Sequence, residues 1–392
     1  MKIKRPMKHL PILAALSLIA LACTRPVTVV RPTVPLVMDI LADPSSQYNE
    51  ILKSFDPASS KGVLTVVGDG ERSSALAAEL AECDRFDNID AKSSPDGLPD
   101  FSGETIACIR DDANAPYSGF LLDGRESVLR EIAVRNLLYS LDSLCSIGPY
   151  DREKLVVKET SKLVVMASPF AAAYGAFDVD TLCRSLGAAV PVIYPVRSMM
   201  LKAMDRCRMS LNLAVLTDVD SLCLDIYKTI FNDALEVRDV PKANCQAFRT
   251  DTVSRDGAIL QNLLEAYLAE GNTAPIDAVV IDDYSVSADE LTASFEEIFN
   301  TPSEVNLRYR QLLSRAFFVV EPFSTVAEEC YGYMRAHTLF THRIAYPLSK
   351  SFRTVPYTGV EGVSYENDME FSDSGKYQRN TSDDYTIVAY VL

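Results

Sequence analysis

The feature that most constrains this chain is an alternation. From about residue 60 onward, short apolar runs rich in β-branched residues take turns with longer amphipathic stretches. The runs are Val63–Val67, Thr105–Ile109, Leu163–Met166, Val190–Ile193, Leu211–Leu216, Ile276–Ile281 and Phe317–Val320. Between them lie helical patterns at Ser73–Leu80, Ser127–Leu141, Val179–Leu186, Ser221–Phe231, Gly257–Leu268 and Ala288–Phe299. Strands that are apolar on both faces must be covered on both faces, which means an α/β protein built on parallel sheets. At about 150 residues per domain, 392 residues suggest two domains or one two-lobed unit. A composition of 48% hydrophobic and 23% charged residues excludes wholesale disorder, collagen and coiled coil. No fixed-period repeat is present.

The N-terminus carries a second signal. Lys2, Lys4, Arg5 and Lys8 precede a mostly apolar run of 13 residues, Leu10 to Ala22. That is too short to span a membrane, which takes about 20 residues, but suits the apolar region of a signal peptide. The run ends Ala20-Leu21-Ala22-Cys23, similar to a bacterial lipoprotein cleavage site. Residues 1–22 are therefore expected to be a signal peptide, and Cys23 the lipidated N-terminus of an envelope protein. Acyl chains, at about 0.8 kcal/mol per buried CH₂, would hold it on the membrane. Pro26, Pro32 and Pro35 favour an extended spacer, so 23–59 reads as tether and linker.

Charge narrows the partners. The chain holds 38 basic and 54 acidic residues, a net charge of -16. Without residues 1–22, which carry four basic residues and no acid, 34 basic residues face 54 acids and the charge is -20. Such a surface repels nucleic-acid phosphates, so no nucleic-acid partner is expected. The eight cysteines beyond Cys23 permit up to four disulfides. Several, such as Cys108 in Thr105-Ile106-Ala107-Cys108-Ile109, read better as small buried hydrophobes. No C-x-x-C pair exists, and no metal site or cofactor is expected.

Most catalytic signatures are missing. There is no phosphate loop, no H-E-x-x-H and no G-x-S-x-G. Gly68-Asp69-Gly70 follows a strand, but Ser73 stands at the third glycine of a dinucleotide fingerprint, which makes it a weak match. Of the three histidines, His9 lies in the signal peptide. His337 and His342 sit five apart, about 140° round a helix, so they share no ligand face. Solvated or capping roles suit both.

In an α/β protein ligands bind at the carboxyl ends of strands. Those ends read Val67-Gly68-Asp69-Gly70, then Arg110-Asp111-Asp112-Ala113-Asn114-Ala115-Pro116-Tyr117-Ser118, Met166-Ala167-Ser168-Pro169-Phe170, Thr217-Asp218 and Asp282-Asp283-Tyr284-Ser285. In order and content the chain resembles the aspartate/glutamate racemase superfamily, glutamate racemase most of all. Asp69 falls at that family's first aspartate. Asp111, Pro116 and Tyr117 match its second motif, with Ser118 at the glycine. Val190-Pro191-Val192-Ile193 matches the "iPVI" strand, and Thr217 and Tyr227 fit the opening of the second lobe. Ile276–Ile281 matches "iDtlvL", and Glu321-Pro322 stands at the closing Asp-Pro. The likeness covers roughly residues 60–325. It implies two pseudo-symmetric lobes, each with a parallel sheet, around an interlobe cleft. Lobe one is expected at 60–195 with 310–345, lobe two at 196–309, and a turn-rich extension at 346–392.

The departures bear on function. The family shuttles a proton at the amino-acid α-carbon between two cysteine thiolates, whose pKa values suit both roles. Here those positions are Ser168 and Asp283, and the histidine two residues after the second is Ser285. No histidine or lysine stands beside Ser168 to activate it. The expectation is a racemase-like envelope lipoprotein without that chemistry. A small amino-acid-like ligand would lie among Asp69, Tyr117, Ser118, Ser168, Thr217, Asp283, Tyr284 and Ser285. Two alternatives stay open. One is a periplasmic solute-binding lipoprotein feeding a transporter, since Thr358–Tyr377 resembles the end of branched-chain amino-acid binders. The other is a diverged racemase or lyase using Asp283 and Asp69.

Overall fold

The computed structural model describes residues 32–146, 155–253, 258–341, 343–354 and 387–390. The signal peptide, Cys23, most of the proline-rich spacer, His342 and Thr358–Tyr377 lie outside them. Twelve strands are present among the described residues. They are β1 (Val63–Gly68), β2 (Thr105–Arg110), β3 (Leu144–Ser146), β4 (Leu155–Val157), β5 (Ser161–Met166), β6 (Val192–Ile193), β7 (Ser210–Thr217), β8 (Lys242–Arg249), β9 (Ile276–Ile281), β10 (Leu313–Val320), β11 (Leu348–Thr354) and β12 (Ile387–Tyr390).

They form two sheets, with strand orders β4-β3-β12-β11-β2-β1-β5-β6 and β10-β9-β7-β8. The second sheet is parallel throughout. In the first, the run from β11 to β6 is parallel, and antiparallel pairs (β11 with β12, β3 with β4) extend one edge.

All six residues of β1 are buried, and the period of two sends them to opposite faces. Leu64 and Val66 pack with Leu76 and Leu80 of the helix Glu71–Glu82, and with Val326, Cys330 and Met334 of the helix Pro322–Ala336. Val63 and Val67 face the other way, toward Val134 and Leu137 of the helix Glu126–Leu141. In the second sheet, Ala214 and Leu216 face Leu260, Leu263 and Leu264 of the helix Ile259–Ala269. Leu213 and Val215 instead join the cluster that contains Val63 and Val67. The inner faces of both sheets thus share one apolar core, into which the helix Pro195–Arg206 inserts Met199, Met200, Ala203 and Met204. Close packing explains Gly175, where a Cβ would run into the Ala133 side chain.

The lobe boundaries differ from the expected ones at three places. Pro35–Ala42 and Gln47–Lys53 are helices rather than tether, with Leu36, Val37, Ile40, Tyr48 and Leu52 buried. Pro35 opens its helix, where a missing N–H costs nothing, so this proline marks a helix start and not a spacer. Residues 313–320 belong to the second sheet, because β10 pairs with β9; the chain re-enters lobe one only at Pro322. Of the C-terminal extension, Leu348–Thr354 also belongs to lobe one, since β11 lies parallel against β2. No helix among the described residues is long and apolar enough to cross a membrane. Cysteines 83, 108, 145, 183, 223, 245 and 330 are buried thiols, Cys207 is half-buried, and none of the eight is in a disulfide. His337 is exposed, caps the helix Pro322–Ala336 and stacks on Tyr333 at 4.2 Å.

Candidate strand-end site

Each sheet ends in a wholly buried aspartate that accepts from a tyrosine. In lobe one it is Asp111, just past β2, whose N–H is tied to the Gly68 carbonyl at 2.8 Å. Its carboxylate accepts from the Tyr117 hydroxyl at 2.5 Å, the Asn114 amide at 2.9 Å and the Thr354 hydroxyl at 2.5 Å. The Asn136 amide donates to the Tyr117 hydroxyl at 2.7 Å. Burial pushes the Asp111 carboxyl up, against those hydrogen bonds. Tyr117 is also pushed well above the usual range, first by burial and then by Asp111, so its hydroxyl remains a donor. The Tyr117 side chain therefore serves this network rather than an open cleft. Only its backbone N–H turns to Asp69, at 3.2 Å.

In lobe two the counterpart is Asp282, just past β9. It accepts from the Tyr227 hydroxyl, which lies 2.5 Å from the Thr217 hydroxyl. Its cation comes from the other lobe. Arg72, in the first turn of the helix Glu71–Glu82, places its guanidinium 3.2 Å from the Asp282 carboxylate and donates to the Asp282 carbonyl at 2.7 Å. The same guanidinium bonds Asp218 and lies 5.9 Å from the Tyr284 ring. Gly70, at φ +67°, makes the turn that starts this helix. Asp218 is more than half exposed and its pairing contributes little, whereas Asp282 is fully buried. Burial works against the charge of Arg72, yet Asp282, Tyr227, Tyr284 and Asp69 together outweigh it and the guanidinium is held above its usual range. Burial pushes Asp282 up while Arg72 and the Tyr227 hydroxyl pull the other way.

The other positions that the sequence singled out lie at the strand ends of the same two sheets. Ser168 is 2% exposed and precedes the helical stretch 169–186, which contains a π turn at Ala171–Gly175; its hydroxyl is buried with no hydrogen-bond partner. Asp283 is 8% exposed and fully engaged. It accepts from the Ser285 N–H at 3.0 Å, the Ser285 hydroxyl at 2.7 Å and the Thr250 hydroxyl. Burial pushes Asp283 up, but those donors win and its carboxyl lies below the usual range. The Tyr284 hydroxyl is buried without a partner. Asp69 and Ser118 are half-exposed and Ser285 is exposed, and the three form the rim. Across it the short helix Ser118–Leu122 touches the turn Ser221–Cys223 of lobe two. Among the described residues, no three His, Cys, Asp or Glu are arranged to hold a metal ion.

Sequence reasoning passed over Arg72, Asn136, Thr250 and Thr354. For Arg72 a local signal existed: it is a cation four residues past the end of β1, amid acidic strand ends. Thr354 offered none, since its partner Asp111 is 243 residues away.

Two sheets with converging carboxyl ends and one shared core define a two-lobed α/β protein whose polar centre lies at the seam between lobes. Among solved structures the chain is similar to a glutamate racemase isoform from Bacillus anthracis, at 14% identity and a TM-score of 0.46, covering 76% of this chain and 90% of that one. It is similar also to the glutamate racemase of Francisella tularensis crystallised with D-glutamate, at 12% identity and a TM-score of 0.43, covering 74% and 87%. Arylmalonate decarboxylase matches at 14% identity and a TM-score of 0.32, covering 72% and 96%. No protein-family model and no curated protein sequence matches the chain.

Proposed function

We propose that this is a non-catalytic, lipid-anchored protein of the bacterial envelope that holds a small amino-acid-like ligand at the seam between its lobes. The observation that carries this reading is the state of the two positions where a two-base enzyme keeps its proton carriers. Carbon racemisation needs an acid and a base on opposite faces, both titrating near the working pH. Ser168 has a hydroxyl with no base beside it, and Asp283 is a carboxylate committed to three donors and held below its ordinary range. Neither can exchange a proton with carbon at a useful rate.

Recognition suits the same groups. The free hydroxyls of Ser168 and Tyr284 can donate to a ligand carboxylate, and the rim carboxylate of Asp69 can accept from an ammonium. The solute-binding alternative requires lobes that hinge apart around an open cleft; the shared core and the Arg72 bridge suit it less well. Anchoring rests on the basic start, the 13-residue apolar run and Ala22-Cys23. Mass spectrometry of the detergent-extracted protein should find an acylated peptide beginning at Cys23; an unmodified start elsewhere would remove the anchor from this reading.

The test of chemistry is a circular-dichroism racemisation assay with D- and L-glutamate and aspartate, paired with thermal-shift titration of the same compounds. The expected result is no turnover together with concentration-dependent stabilisation. Turnover abolished by Asp283→Ala would overturn the non-catalytic reading.

A further inference from the structure

At the opposite end of the first sheet, away from the carboxyl ends of its strands, lies a cavity of about 550 Å³ that the seam site does not use. We infer that it is a second binding site, for a small aromatic carboxylic acid. The volume falls in the range of small-molecule sites, roughly 300–1,000 Å³. Its wall is aromatic: Tyr331 and Phe340 meet edge to face at 5.3 Å, and Phe86 stacks on the Tyr331 ring at 4.4 Å. Such faces suit a flat ring.

The wall is held in place beforehand. The buried Glu104 carboxylate pairs with the Lys162 ammonium at 2.5 Å and accepts from the Thr341 N–H at 2.6 Å, while Lys162 also donates to the Leu339 carbonyl at 2.7 Å. The Gly103 N–H donates to the Ala345 carbonyl at 2.6 Å. These bonds seat residues 339–341 and 343–345 against the bottom of β2, so a ligand meets a formed surface. That lowers the ordering cost of binding.

Charge selects an acid. Arg335 and Arg343 line the cavity, are exposed, and form no ion pair among the described residues. Arg335 donates only weakly, at 3.4 and 3.5 Å, to the Ile89 carbonyl and the Tyr331 hydroxyl. The one lining carboxylate, Asp100, is turned to the backbone, accepting from the N–H groups of Arg85 and Phe86 at 2.9 Å each. Two exposed guanidinium groups, of which only Arg335 has, among the described residues, a carboxylate (Asp87) near enough to feel its charge, attract an anion locally on a chain of net charge -16, and a guanidinium matches a carboxylate with two donors. Ile344 and Tyr346, fully and largely exposed, extend the apolar surface at the mouth.

Ligand-observed fluorine NMR on the full chain tests this with 4-fluorophenylacetate, using 4-fluorobenzylamine as the cationic counterpart. The acid should bind and the amine should not. Arg335→Met should weaken the acid about tenfold, and the double variant with Arg343→Met more. Ile344→Asp, at a fully exposed position that leaves the fold intact, should abolish binding by placing a carboxylate at the mouth. Excess D-glutamate should leave the probe bound. Equal binding of acid and amine, indifference to the arginine variants, displacement by D-glutamate, or no binding at millimolar concentration would each overturn the assignment. Displacement by D-glutamate would mean that the probe shares the seam site; the other outcomes leave ligand binding at the seam untouched.

Discussion

The two buried aspartates at the strand ends solve one problem in two ways. Asp111 and Asp282 both sit just beyond a central strand, both are fully buried and both accept from a tyrosine. Asp111 is satisfied by neutral donors from its own lobe, Thr354, Asn114 and Tyr117. Asp282 relies on a guanidinium that arrives from the other lobe, and one of its oxygens has no partner at all. The first network closes a lobe on itself. The second ties two lobes together, so the polar part of lobe coupling at this aspartate rests on a single side chain.

The largest expected effect follows from that dependence. Arg72→Met should cost about 3–5 kcal/mol in urea unfolding, because it strands a buried carboxylate. Adding Asp282→Asn should recover part of the loss, as a double-mutant cycle would show. A loss below about 1 kcal/mol, typical of surface pairs, would break the comparison.

Next come the tyrosines. Tyr227→Phe should cost about 2–3 kcal/mol and Tyr117→Phe about 1–2 kcal/mol, since Asp111 keeps Thr354 and Asn114 while Asp282 keeps only Arg72. Chemical denaturation of both variants measures the order; the reverse order would mean that the lobe-one network is the weaker one. Thr354→Val should cost about 1 kcal/mol by removing one of several donors to Asp111.

The smallest effects lie in pH dependence, where Asp111 and Asp283 should behave oppositely. The folded pKa of Asp111 is raised, so its contribution is fully present below the ordinary carboxylate range and is lost as pH rises through the folded value. Asp111→Asn should therefore gain on the wild type as pH rises. The folded pKa of Asp283 is lowered, so its contribution is present above the ordinary range and is lost as pH falls through the folded value. Asp283→Asn should lag the wild type near neutrality and approach it in acid. Melting curves across pH would show the two differences diverging; parallel curves would count against both assignments.

What could be read from residues alone tracks what is locally apolar. β1, β2, β5, β7 and β9 are buried on both faces, and their runs stand out at once. β8 and β11 did not. Lys242-Ala-Asn-Cys-Gln-Ala-Phe-Arg is an edge strand, half exposed, so nothing requires an unbroken apolar run. β11 is mostly exposed along Leu348–Lys350 and carries Ser, Lys and Arg. That Asp69, Thr217 and Asp283 stand at strand ends is legible because the strands before them are. The roles of the tyrosines were legible only in part: Tyr117 lies near the seam, yet its hydroxyl is turned inward to Asp111.

The sequence by itself determined the alternation of strand and helix and the polar content of the strand ends, Ser168 and Asp283 among them. Each is a property of a few neighbouring residues, and period and residue type suffice to read it. Only the tertiary structure decided that 35–53 and 348–354 join lobe one, that β10 joins lobe two and that Arg72 serves Asp282. Those outcomes depend on pairings between residues up to 243 positions apart, whose partners are chosen by burial and charge compensation after the chain has folded.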